Sequence, residues 1–252
     1  MLAVLSDLSP PVLAYACAVA LVAGVVKGMV GFAMPMIMIS GLSSVLPPDL
    51  ALAGLILPTL VTNGMQALRQ GVAAAAGSVR RFRWFLAVGL LALLGSSQLV
   101  AMLPASVLLM VIGLPLTLFA VLQLAGWVPR LATASLPLEL GIGAVAGFIG
   151  GLSGVWGPPV VAYLTALGTE KREQVRIQGV IYGLGAVALT AAHLYSGVFR
   201  GAGVALSAML VPVAVAGMWL GGRLQDRIDQ AAFRRATLIV LLIAALNLVR
   251  RG

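Results

Sequence analysis

The chain has 252 residues, of which 61% are hydrophobic and 9% charged, and it carries a net charge of +9. Soluble domains hold roughly 25% charged residues, so the composition excludes a soluble globular protein and leaves a membrane-embedded one. A single cysteine, Cys17, excludes an intrachain disulfide, and arginines clustered between apolar runs assign the positive charge to topology and lipid headgroups rather than to nucleic acid.

The first residues include Asp7 and no basic leader, so the first apolar run is expected to be kept rather than cleaved as a signal peptide. Residues 10–46 hold a broken apolar segment, with GVVKGMVGFAMPM at 24–36. Apolar runs of bilayer length, roughly 17 to 25 residues, follow at 50–68, 84–102 and 105–126. The stretch GWVPRLATASLP, 126–137, reads as a linker. A second broken segment, GGLSGVWGPPVVAYL at 150–164, precedes runs at 177–195, 202–220 and a shorter one at 236–249. Glycine costs a helix interior about 1 kcal/mol relative to alanine and proline about 3. In lipid each freed backbone group also needs a partner, so both breaks are expected to have a use.

The two broken segments are related. Residues 24–36 match 147–159 at an offset of 123, with Gly24, Gly28, Gly31 and Pro35 falling on Gly147, Gly151, Gly154 and Pro158. Each is followed by a polar corner, an apolar run, a short glycine turn (RQG at 69–71, YSG at 195–197) and two further runs. The chain therefore reads as one transmembrane domain, 1–252, with a first repeat at about 10–126, a linker at about 127–137 and a second repeat at about 138–250.

Basic residues orient the repeats. If all eight apolar segments crossed once, Lys and Arg would divide eight to seven between the two sides, against the positive-inside rule. If residues 137–168 enter and leave on one side, the division becomes twelve to three, with only Arg200, Arg250 and Arg251 outside. This predicts a re-entrant hairpin with half-helices at 138–149 and 158–167, each roughly 15 to 18 Å long. By the repeat, the first motif should form the same hairpin from the opposite side. Each half then holds one broken or re-entrant hairpin and three transmembrane helices, an all-α polytopic fold of two inverted repeats, as in many secondary transporters.

Helix N-termini carry unpaired N–H groups and about half a positive charge, so two such ends near the midplane make an anion site. Proline at the start of a returning half-helix, Pro35 or Pro158, suits this, because its missing N–H has no intrahelical partner anyway. Lys27 is the one basic residue inside a broken segment, with no acid near it in sequence. A substrate anion is a natural partner for it. Snorkelling to an interface, or pairing with a carbonyl, is the structural alternative. Asn63 and Gln66, one turn apart with Thr59 and Thr62 nearby, suit either a cavity wall or interhelical hydrogen bonding. Trp156 suits a gate or plain packing, and His193, the sole histidine, an interfacial hydrogen bond or a proton relay. The candidate substrate-binding set is Lys27, Gly28, Gly31, Phe32, Pro35, Asn63, Gln66, Gly151, Ser153, Gly154, Trp156, Gly157 and Pro158. Residues 141–147, GIGAVAG, have one residue too many for a dinucleotide fingerprint, and no catalytic motif, metal set or cofactor signature occurs.

Gly28-Met29-Val30-Gly31-Phe32 with Pro35, and Gly151-Leu152-Ser153-Gly154 with Gly157-Pro158, resemble the two signature repeats of the TauE/SafE sulfite-exporter family, also called the toluene sulfonate uptake permease family. Ala33-Met34 departs from the pattern where members often carry further glycines. The resemblance implies a multi-pass transporter of the bacterial inner membrane for sulfite, a sulfonate or a similar anion, and no enzyme. The expected function is secondary transport, as an exporter working by alternating access. The alternatives are a passive anion channel and a non-transporting assembly factor. The partners are a small anionic substrate and membrane lipids, not nucleic acid, and a homodimer is left open. Cysteines placed at Ala134 and Thr169 should be labelled from the same, cytoplasmic side and one at Gly201 from outside; labelling of the first two from opposite sides rejects the hairpin.

Overall fold

Proline and glycine decide where the helices begin and stop. The computed structural model describes residues 8–97, 105–127, 131, 135–153, 157–196 and 199–251, which form eleven helices. They are α1 Pro10–Val30, α2 Met34–Leu42, α3 Pro48–Leu68, α4 Val72–Arg81, α5 Arg83–Ser97, α6 Ala105–Leu124, α7 Leu136–Ser153, α8 Gly157–Ala166, α9 Lys171–Ser196, α10 Ala202–Arg227 and α11 Gln230–Arg251. Helices α1, α2 and α3 each have proline in the first two positions, where no intrahelical bond is lost. Among the described residues, four segments are long and apolar enough to cross a bilayer: Pro10–Val30, Leu50–Leu68, Ala202–Arg227 and Gln230–Asn247. The protein is an all-α, multi-pass membrane protein.

The chain divides into two compact units, Met1–Gly71 with Gln178–Asp229, and Val72–Ile177 with Gln230–Gly252. Neither unit is one half of the sequence. In the first, α2 folds back along α1, so that Gly41 lies on Val19 and the Ser44 hydroxyl donates to Tyr15 Oη at 3.2 Å. Ala16, Ala20 and Ala23 of α1 and Met34, Met38 and Leu42 of α2 form one core with Leu206, Leu210 and Ala214 of α10. A Cβ at Gly28 would overlap the Met218 carbonyl, and one at Gly221 the Val25 carbonyl, so α1 and α10 touch backbone to backbone. Such contact replaces the hydrophobic driving force that lipid removes.

In the second unit the arrangement is reciprocal. Helix α7, from the second half of the sequence, packs on α5 from the first, with Gly147 against the Gly89 carbonyl and Gly143 against Phe85. Glu139 accepts the Phe85 N–H at 3.2 Å and so caps the start of α5. The Phe85 ring stacks on Tyr163 of α8 with centroids 6.4 Å apart. Helices α6 and α11 meet where Gly113 faces the Ala245 carbonyl, and Arg234 donates to Gln123 Oε1 at 2.8 Å.

Three expectations are revised. Helix α1 has 21 residues, about 31 Å, which is longer than a half-helix and enough to cross a bilayer by length and composition. Helix α7 starts at Leu136 and runs through Gly150 and Gly151 to Ser153, about 27 Å rather than a half-helix ending at 149. Gly150 and Gly151, expected in the break, continue the helix, while Gly143 and Gly147 lie against α5, where close packing offsets the intrinsic cost of glycine. Residues 72–81, which the apolar runs leave unassigned, form α4. Its Ser78 accepts from Arg176 Nε at 2.9 Å, and its Arg81 pairs with Glu173 at 2.7 Å.

Pro58 inside α3 lacks the N–H that would reach the Gly54 carbonyl. The Ser207 hydroxyl of α10 donates to that carbonyl at 3.2 Å and accepts the Leu57 N–H at 2.9 Å. A neighbouring helix thus repairs the proline defect, as lipid-embedded helices require. Ser207→Ala should lower stability by about 1–3 kcal/mol by leaving these buried groups unpaired; thermal unfolding of the detergent-solubilised protein measures it.

Candidate site at the first helix break

Helix α1 ends at Gly31, whose φ of 90° is natural for glycine, and its N–H closes the last turn on the Lys27 carbonyl at 2.7 Å. Helix α2 begins one residue after Ala33, which also lies in the left-handed region at φ 72°. That conformation costs a non-glycine residue of order 1–3 kcal/mol. Ala33 thus holds, under strain, a turn that glycine would adopt freely. Around this break the carbonyl end of one helix and the N–H end of the next lie within three residues of each other.

The carbonyl end is covered by side chains. Gln66 Nε2 donates to the Gly31 carbonyl at 3.1 Å. Gln178 of α9, with its amide nitrogen turned toward them, donates to the carbonyls of Val30 and Gly31 at 3.2 Å each. The N–H end is not covered. Among the described residues, the backbone N–H groups of Phe32, Ala33, Met34 and Met36 make no hydrogen bond, although Phe32, Ala33 and Met34 are buried.

Lys27 stands one turn before the break and is 1% exposed. Its Nζ donates to Asn63 Oδ1, a neutral acceptor. The Thr62 hydroxyl donates to the Pro58 carbonyl at 2.6 Å and contacts Met34 Sδ at 3.3 Å. Thr59 Oγ1 and Gln66 Oε1 are buried with no partner among the described residues. The structure thus gathers Lys27, Gly31, Phe32, Asn63 and Gln66 into one buried polar cluster inside the first unit, with Thr59 and Thr62 on the same helix as Asn63 and Gln66. Lys27 meets no carboxylate among the described residues, an arrangement that is expensive for an ammonium in lipid unless an anion joins it.

The other expected residues have different surroundings. Gly28 is held against the Met218 carbonyl, and Pro35 occupies the first turn of α2. Gly151 and Ser153 lie in the last turn of α7, and Gly157 and Pro158 open α8. Gly154 and Trp156 lie outside the described residues, and His193 is in α9, its side chain likewise outside them. Gln178 is the member that reading the sequence missed. It is buried in the structure, and in the sequence only its place as an amide at the start of an apolar run could have marked it.

Residues 16–248 match the family model for the sulfite exporter TauE/SafE. No curated protein sequence and no solved structure matches the chain. The two glutamines share the Gly31 carbonyl, so each single variant, Gln66→Leu or Gln178→Leu, leaves that group one donor. The double variant leaves none and should be destabilised beyond the sum of the singles by about 0.5–3 kcal/mol, which a double-mutant cycle in thermal or denaturant unfolding measures.

Proposed function

The chain belongs to the sulfite exporter TauE/SafE family, a family of membrane transporters for sulfur anions such as sulfite, and on that premise we propose that it exports such an anion across a bacterial inner membrane through the first helix break. The observation that carries this reading is Lys27, a buried ammonium whose partner is a neutral amide. An oxyanion at the break would meet that charge and the open N–H groups of the α2 N-terminus together, the pairing that favours anions at helix starts. The neutral Asn63 keeps Lys27 in place without satisfying its charge. A carboxylate there would compete with the substrate.

Export proceeds by alternating access, in which the site opens to one side of the membrane and then the other. Driving force is supplied by the membrane potential. With a cell interior negative by 100 mV, each negative charge leaving gains about 2.3 kcal/mol, roughly a fiftyfold gradient for a monoanion, without a coupling ion. Proton-coupled carriers commonly use an intramembrane carboxylate or histidine, and the first break supplies a lysine instead. His193 is the candidate relay under the opposing, proton-coupled reading.

In proteoliposomes clamped with potassium and valinomycin, sulfite flux should saturate, show counterflow and follow the imposed potential. Lys27→Gln should lower flux at least tenfold with normal expression and insertion, since it removes one charge-assisted contact to the anion. Flux without saturation or counterflow identifies a channel, and no flux in the wild type a non-transporting protein. A pH gradient that drives flux at zero potential, with the drive lost in His193→Ala, replaces the uniport reading with proton coupling.

A further inference from the structure

Helix α3 carries one polar edge. Thr59, Thr62, Asn63, Gln66 and Arg69 follow at spacings of three, one, three and three, which keeps them on one side of a helix. The first four are buried. Arg69, just past the end of α3, is where the edge reaches water, with 33% of its side chain exposed. Its guanidinium donates to Gln225 Oε1 and, at 2.9 Å, to Asp226 Oδ2, both near the end of α10. Six residues separate Arg69 from the Asn63 that holds Lys27, about 9 Å along the helix axis. Gln66, with its unpartnered Oε1, lies between them.

Two features set this ion pair apart from a structural clamp. A pair this exposed contributes only about 0–1 kcal/mol. Asp226 also lies in the last turn of α10, where the helix dipole disfavours an acid. The carboxylate meets Arg69 through one oxygen, Oδ2, and its small planar anionic group resembles a small oxyanion in size and charge.

We propose that Arg69 is a second anion station on the same route, and that Asp226 is the internal anion which occupies it when substrate is absent. This rests on the reading of the helix break as an anion site. A sulfite, sulfonate or similar oxyanion moving between water and Lys27 takes the place of Asp226 on the guanidinium, at the Nη2 side that Gln225 does not occupy. Gln225 stays on the guanidinium and holds it in position during the exchange.

Competition has a sign that a structural pair lacks. Asp226→Asn removes the competitor and should lower the KM for sulfite about threefold to tenfold, whereas Arg69→Gln removes the station and should raise it about tenfold. The double variant should behave as Arg69→Gln does. The test is radiolabelled sulfite uptake into proteoliposomes holding the full chain, with size-exclusion profile and thermal midpoint as fold controls; Asp226→Ser replaces Asp226→Asn if the latter does not purify. KM values that move in the same direction in both single variants, or in neither, overturn the proposal and leave a structural ion pair. If Lys27→Gln loses flux while those shifts run parallel, the Arg69 assignment alone falls. If the wild type shows no saturable sulfite flux, or Lys27→Gln leaves it unchanged, both readings fall together.

Discussion

Everything distinctive in this protein follows from interrupting a helix where water cannot repair the interruption. In lipid, a backbone group that loses its intrahelical partner must find another within the protein. At the first break the freed carbonyls of Val30 and Gly31 find it in Gln66 and Gln178, from two other helices. At Pro58 the freed Gly54 carbonyl finds it in Ser207. In both places the repair comes from a side chain distant in sequence, so each break also ties helices together. Among the described residues the N–H groups of Phe32, Ala33, Met34 and Met36 are not repaired, and a helix N-terminus is the end that favours anions.

The packing that holds the break open depends on small residues. Helix α1 lies against α10 with Gly24 and Gly28 on one side and Gly217 and Gly221 on the other. Helix α7 lies against α5 through Gly143, Gly147 and Gly89. In both units a broken segment from one half of the chain is seated on a helix from the other half. Contact at backbone range fixes rotation as well as separation, because sliding either helix by one residue would place a side chain where there is room for none. Lys27 and the break are thereby held in one orientation toward α3.

The chemistry of the cluster is a buried lysine without an acidic partner among the described residues. Lys27 meets an amide, and the hydroxyls and amides of Thr59, Thr62 and Gln66 are neutral. Neutral hydrogen-bonding partners lower the cost of burying an ammonium without cancelling its field. Where the same helix meets water, the opposite solution appears, and Arg69 is paired with an acid. A charge in water gains little from such pairing, so its partner can be exchanged at small cost.

The sequence alone determined that the chain spans a membrane, that its apolar segments break at two related places, and that one lysine lies inside a break. Those are properties of composition and spacing, and the bilayer imposes them segment by segment. The pairing of Asn63 with Gln66 on one face was legible for the same reason, since helical period is local. Only the tertiary structure decided that Gln178 and Ser207 serve the backbone, that α7 runs through its glycines to Ser153, and that Arg69, read as one more topological charge, meets Asp226. The partner of Gly31 lies 35 residues away at Gln66, and that of Arg69 lies 157 away at Asp226. Which helix lies beside which is set by backbone contacts between glycines far apart in the chain. No local pattern of hydrophobicity encodes those contacts.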